Sequence, residues 1–120
     1  MIKNLLLATS LAAVSFNSVG SVSSTLFDVP LAKKCFALLS DLSVIEAEQT
    51  TDFCKAKITG AKQETEQAAL AISVDDYYYS TIHLESAIKY LRHAQIYSCA
   101  SEQKIASVDF KLTEIKSKIK

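Results

Sequence analysis

Aromatic and histidine side chains recur along one side of a helix predicted near residues 76–98. Their spacings of four, three, four, three and four residues bring them to one line down an α-helix. Tyrosine is enriched at the energetic centres of protein–protein interfaces, and histidine changes its charge near neutral pH. The set therefore predicts either packing between neighbouring helices or a partner-binding face. This Tyr/His stripe consists of Tyr79, His83, Ser86, Tyr90, His93 and Tyr97.

Recognisable catalytic and metal-binding motifs are missing from the sequence. It contains no Gly-rich phosphate loop, no G-x-S-x-G or H-E-x-x-H motif, and no Glu-x-x-His pair of the kind used by di-metal bundles. His83 and His93 are separated by about 80° around one helix, so they cannot both ligate a single haem iron. Asp76, Tyr79 and His83 share a helix face and form only a weak metal-site pattern. We therefore expect no enzyme, no catalytic residues, no metal site and no cofactor.

The first 24 residues have the pattern of an export signal. Lys3 supplies the positive start, an apolar run follows, and small residues precede a cleavage site after Gly20 or, as the alternative, after Ser24. The apolar run is too short and too interrupted to span a bilayer. The sequence therefore predicts one mature domain over residues 21–120, located outside the cytoplasm in a periplasm or secreted.

Three cysteines in an exported chain predict one disulfide. Cys35 and Cys54 lie on what we interpret as one helix, about 28 Å apart, so they should not pair. A chain reversal at Ser73–Asp76 would bring Cys99 to Cys54, whereas a reversal at Gly60 would bring it towards Cys35. We prefer Cys54–Cys99, because adjacent acids make a poor helix interior. Cys35 is then a buried thiol or forms a bridge between two chains.

The periodicity of the apolar residues predicts an all-α, antiparallel bundle of three to four helices held by the disulfide. A first long helix is expected over residues 29–59 and should end at Gly60, although a glycine inside a longer helix is the alternative. Residues 61–74 are rich in alanine and favour a second helix. The third helix should cover residues 76–98, and the last, with a heptad seam, residues 101–119.

Charge is balanced in total but not along the chain. The 13 Lys and Arg residues match 13 Asp and Glu residues, so no basic excess indicates nucleic-acid binding. Residues 28–85 hold ten acidic and five basic residues, whereas residues 86–120 hold three acidic and seven basic ones. The last helix could therefore dock against the acidic part, or it could present a basic face to an anionic membrane. The basic residues of that face are Lys111, Lys116, Lys118 and Lys120.

The expected function is non-enzymatic: a small exported helical module that binds another protein or serves a structural role. The candidate partner-binding face is the Tyr/His stripe, with Tyr90 at its centre. If that face is exposed, Tyr90→Ala should abolish partner binding without lowering the melting temperature. The alternative function is association with a membrane surface through the basic last helix. An interchain bridge through Cys35 would make an oligomer.

Overall fold

Four α-helices make up the part of the chain that the computed structural model describes, residues 29–119. Those residues contain no strand, so the predicted all-α class is confirmed. The predicted signal peptide and its cleavage site lie outside the described residues. The helices are α1 (Val29–Ala47), α2 (Asp52–Ser73), α3 (Tyr77–Ile96) and α4 (Glu102–Ser117).

Each helix runs antiparallel to the one before it, and α4 returns beside α1 to close a four-helix bundle. Helices α2 and α3 pack together most extensively, and α1 and α4 pack less extensively than any two consecutive helices. The residue after α1, Gln49, bonds to the backbone of Ala100 just before α4. The predicted antiparallel bundle is therefore confirmed, and α2 and α3 form its most closely packed hairpin.

A heptad pattern determines which side of each helix is buried. In α2 six buried positions recur at spacings of four and three residues, and three of them are Ala or Thr, whose small side chains let α3 approach closely. The buried Thr65 hydroxyl donates to the carbonyl of Ala61 at 2.8 Å, so its polar atom is satisfied. The heptad core of α2 consists of Cys54, Ile58, Ala61, Thr65, Ala68 and Ile72.

The prediction of one continuous first helix over residues 29–59, ending at Gly60, is wrong. Helix α1 ends at Ala47, and α2 begins at Asp52 after an N-cap, Thr51, whose hydroxyl accepts a hydrogen bond from the Cys54 N–H at 3.1 Å. A capping threonine followed by an acid in the first turn is a helix start. Gly60 lies inside α2, as the alternative interpretation had it.

The chain reversal predicted at Ser73–Asp76 is confirmed. Helix α2 ends at Ser73, and Asp75 adopts a left-handed backbone conformation with a φ of 58°. Asp76 then caps α3, its carboxylate accepting from the Tyr79 N–H at 3.3 Å. Asp tolerates the left-handed region and is a favoured N-cap, so the two adjacent acids suit this turn.

The predicted Cys54–Cys99 disulfide is confirmed, with a Cα–Cα distance of 5.6 Å. It joins the start of α2 to the connection between α3 and α4. The reason given for excluding Cys35–Cys54 was partly wrong, because the two residues lie on different helices. Cys35 is instead buried inside the bundle, where its thiol donates to the Thr65 carbonyl at 3.5 Å. Burial raises the pKa of this thiol to about 12.

Candidate functional site

The Tyr/His stripe of α3 faces α2, and the two helices meet along it in a regular series of contacts. The rings of Tyr97 and Phe53 meet edge to face, with centroids 5.0 Å apart. Towards the other end of the helices, the stripe contacts Lys57, Gly60 and Glu64 in turn. We call this set of contacts, on the outer side of the hairpin, the α2–α3 seam.

The centre of the seam is a close contact between Tyr90 and Gly60. A Cβ atom added at Gly60 would lie 2.7–2.9 Å from three atoms of the Tyr90 ring. Tyr90 is half-buried against the core, and the Lys57 ammonium lies 5.6 Å from its ring centroid. Tyr90 is therefore a packing residue. The geometry does not favour the expectation that this tyrosine is freely exposed and dispensable for folding.

The two histidines of the stripe have opposite chemical neighbours. His83 Nδ1 lies 2.6 Å from a carboxylate oxygen of Glu64, an arrangement in which the imidazole donates to an acid. His93 Nδ1 lies 3.2 Å from the Lys57 ammonium, where the imidazole must accept. Both side chains therefore fasten α3 to α2, and neither points away from the seam as a free ligand.

Both ends of the stripe, unlike its centre, are exposed to solvent. Tyr97 is 63% exposed and lies beside Phe53, which is 46% exposed, close to the Cys54–Cys99 disulfide. At the opposite end Tyr79 is 54% exposed. The stripe thus presents an aromatic group at each end of a packed seam.

Sequence reasoning missed the apolar side chains that surround Tyr79 at the turn of the hairpin. The Tyr78 and Tyr79 rings meet edge to face, with centroids 5.3 Å apart. Tyr79, Leu70 and Val74 line one shallow concavity between α2 and α3. The run of three tyrosines was the available signal, but its partners on α2 depend on the turn geometry. We call this surface the tip patch: Leu70, Val74, Tyr78, Tyr79 and Ile82, all exposed.

The lysines predicted to form a membrane-facing surface lie on different sides of α4. Lys116 approaches Glu85 of α3 at 3.1 Å, whereas Lys111 and Lys118 flank a groove between α4 and α1. Lys120 lies outside the described residues. The apolar side of α4 is buried in the bundle core by Ile105, Val108, Leu112 and Ile115. Within residues 29–119, no helix has the length and apolar character needed to cross a membrane.

Side chains with catalytic or metal-binding potential are engaged in structural contacts. Across residues 29–119, no three or more His, Cys, Asp or Glu residues are grouped so that they could hold a metal ion. The weak trio from the sequence, Asp76, Tyr79 and His83, lines one shallow concavity. Two of its groups are already engaged there, since the Asp76 carboxylate caps α3 and His83 Nδ1 is bonded to Glu64. The raised pKa of Cys35 makes its thiol a poor nucleophile.

The carboxylates with shifted pKa values likewise join neighbouring helices. Glu46 accepts from Lys62 at 2.7 Å and from Thr59, and these bonds lower its pKa. Lys104, at 2.7 Å, and Ser101 lower the pKa of Glu48 in the same way.

The chemistry that the outer face of the α2–α3 hairpin offers is therefore recognition by aromatic, aliphatic and acidic groups. Polar side chains along its seam make cross-helix contacts, and its exposed rings lie at the two ends of the hairpin. No protein-family model, curated protein or solved structure matches the chain, so its function is inferred from these side chains alone.

Proposed function

We propose that this protein is an exported, non-enzymatic helical module that binds another protein through the outer face of its α2–α3 hairpin. The observation that carries the proposal is the pair of exposed aromatic groups at the ends of the Tyr/His stripe. Tyr97 with Phe53 forms one, and Tyr79 forms the other together with Tyr78. Exposed tyrosines on a fixed scaffold are typical anchors of protein interfaces, because they bury a large area at low cost in side-chain entropy.

The distance between the two ends suits a protein rather than a small molecule. Tyr97, the residue that follows α3, lies 18 positions after Tyr79, which is about 27 Å at the rise of an α-helix. A surface of that length matches one side of a standard protein–protein interface. The packed centre at Tyr90 and Gly60 would hold the two anchors at a constant separation.

An oxidising compartment outside the cytoplasm is the setting that we propose. The Cys54–Cys99 disulfide is consistent with such a compartment. The export pattern of residues 1–24 supports the same location, in a periplasm or outside the cell.

Site-specific photo-crosslinking in the native compartment tests the proposal. A photoreactive amino acid replaces Tyr79 in one variant and Tyr97 in another, and the control replaces Phe110, which is 63% exposed on α4. We expect the same partner protein to be crosslinked from both stripe positions and not from the control. Equal crosslinking from all three positions, or none from either stripe position, would refute the proposal.

A second experiment, vesicle sedimentation, separates protein binding from the membrane-surface alternative. Basic residues on two sides of α4, with its apolar side in the core, give that helix no continuous membrane-facing surface. Salt-sensitive sedimentation with anionic vesicles, lost when Lys111 and Lys118 are replaced by Gln, would favour the membrane instead.

A further inference from the structure

The turn end of the α2–α3 hairpin combines exposed apolar side chains with several acidic residues. Tyr78 is 72% exposed and Val74 is 59% exposed. Over residues 63–85 the sequence contains no Lys or Arg. The acidic residues of that segment are Glu64, Glu66, Asp75, Asp76 and Glu85.

Side-chain contacts engage only some of these acids. Lys116 of α4 approaches Glu85, and His83 bonds to Glu64 within the seam. Asp76 accepts from a backbone N–H, which is a neutral donor. Glu66 is exposed and precedes Leu70 by one helical turn. The tip patch therefore has an acidic surround.

We propose that the tip patch binds a cationic amphipathic segment of the partner protein, one in which Lys or Arg residues flank large apolar side chains. The apolar side chains would enter the concavity lined by Leu70, Val74 and Tyr79. The cations would face Glu66 and Asp76, and could lie over the exposed tyrosine rings. The inference rests on the proposed function and names the chemistry of its partner.

Charge complementarity selects this occupant over two others. An anionic lipid surface would be repelled by the acids around the tip patch. An acidic protein segment would meet like charge in the same place. A segment with both positive charge and apolar side chains complements both properties of the surface.

A defined peptide tests the inference without knowledge of the natural partner. The probe is a 14-residue helical peptide of Leu and Lys with one apolar face, and its counterpart carries Glu in place of each Lys. Binding to the disulfide-bonded protein is measured by fluorescence anisotropy at low and high salt. We expect the Lys peptide to bind, more weakly as salt rises, and the Glu peptide not to bind.

Matched variants locate the binding. Asp76→Asn keeps a favoured capping residue and Glu66→Gln a good helix former, so together they remove charge and preserve the fold. We expect these two substitutions together to lower the affinity for the Lys peptide about fivefold or more. Tyr78→Ala should lower that affinity about tenfold or more. The controls are Asp52→Asn with Glu102→Gln, at the opposite end of the bundle, and Phe110→Ala on α4, and both should leave affinity within about twofold.

Three results would overturn the inference: no binding of the Lys peptide, equal weakening by the control variants, or tighter binding to anionic vesicles that depends on Tyr78. The proposed function fails separately. If a partner is crosslinked from Tyr79 and Tyr97 but the Lys peptide does not bind, the proposed protein-binding function stands. The proposal of a cationic partner segment is then rejected.

Discussion

At the scale of single residues, the seam between α2 and α3 depends on one missing side chain. Gly60 lies inside a helix, where glycine costs about 1 kcal/mol relative to alanine. Its place is explained by Tyr90, whose ring occupies the space that a Cβ atom would need. The cost in helix propensity is offset by the packing of the ring across the two helices.

A double-mutant cycle measures this coupling by urea denaturation. In the Tyr90→Ala background, we expect Gly60→Ala to raise the free energy of unfolding by about 1 kcal/mol, the normal gain in helix propensity. In the native background, Gly60→Ala should raise the free energy of unfolding much less, or lower it, because the Tyr90 ring must move. Tyr90→Ala alone should lower the free energy of unfolding by about 1–3 kcal/mol. Additivity of the two substitutions would contradict the contact.

A second residue-scale prediction concerns pH and Glu46. Hydrogen bonds from Lys62 and Thr59 hold the pKa of Glu46 below 4.5 in the folded protein. A lowered folded-state pKa means that the ionised carboxylate adds stability above pH 4.5, and that this contribution is lost as the pH falls through the folded-state pKa.

We therefore expect urea midpoints measured at pH 6 and pH 3.5 to differ less in Glu46→Gln than in the unchanged protein. Lys62→Met removes the main donor and should reduce the difference in the same direction. An unchanged pH dependence in both variants would show that the ion pair contributes nothing measurable.

At the scale of elements, a buried glutamine holds the two connections at one end of the bundle together. The Gln49 amide donates to the carbonyls of Ile45 and Ala100, each at 2.9 Å, and its oxygen accepts from the Ala100 N–H at 3.0 Å. It thereby closes α1 against α4, which pack together less extensively than helices that are consecutive in the chain.

Gln49→Glu tests that connection, because a carboxylate cannot donate to the two carbonyls and nearly keeps the shape of the side chain. We expect a loss of about 1–3 kcal/mol in the free energy of unfolding. Gln63→Glu, an exposed position on α2, is the matched control and should change it by less than about 0.5 kcal/mol. Equal effects of the two changes would show that Gln49 contributes only its bulk.

The helices were predictable where periodicity and capping signals agreed. Helices α3 and α4 begin within one residue of their predicted positions, and each ends two residues early. The periodicity does not reveal the break between α1 and α2 at residues 48–51, because Gln49 and Phe53 continue the apolar spacing of α1 across it. Of the two, Gln49 is buried for its hydrogen bonds and Phe53 is exposed.

The candidate site was predictable only in part. The stripe on α3 was visible as a pattern, but its neighbours on α2 depend on the register of the hairpin. The close approach of Gly60 to Tyr90 arises from that register. The tip patch likewise depends on a left-handed turn at Asp75, which brings Leu70 and Val74 beside Tyr79.

At the scale of the whole molecule, the disulfide encloses the α2–α3 hairpin, since Cys54 lies in the first turn of α2 and Cys99, 45 residues later, follows α3. Replacing Cys54 and Cys99 by Ser should lower the free energy of unfolding by about 4 kcal/mol, because the unfolded chain loses a long closed loop. Thermal unfolding followed by circular dichroism measures this. A melting temperature unchanged by the double replacement would show that the bundle alone holds this end together.

The burial of Cys35 has a consequence for the order of events during oxidative folding. Three thiols allow three pairings, and two of them are wrong. The α2–α3 hairpin is the most extensively packed pair of helices and is local in sequence, so it can form early and bring Cys54 beside Cys99. Packing of α1 then withdraws Cys35 from exchange, since a thiol with a pKa of about 12 supplies almost no thiolate at neutral pH. In the folded bundle the native bridge is therefore protected from exchange with Cys35.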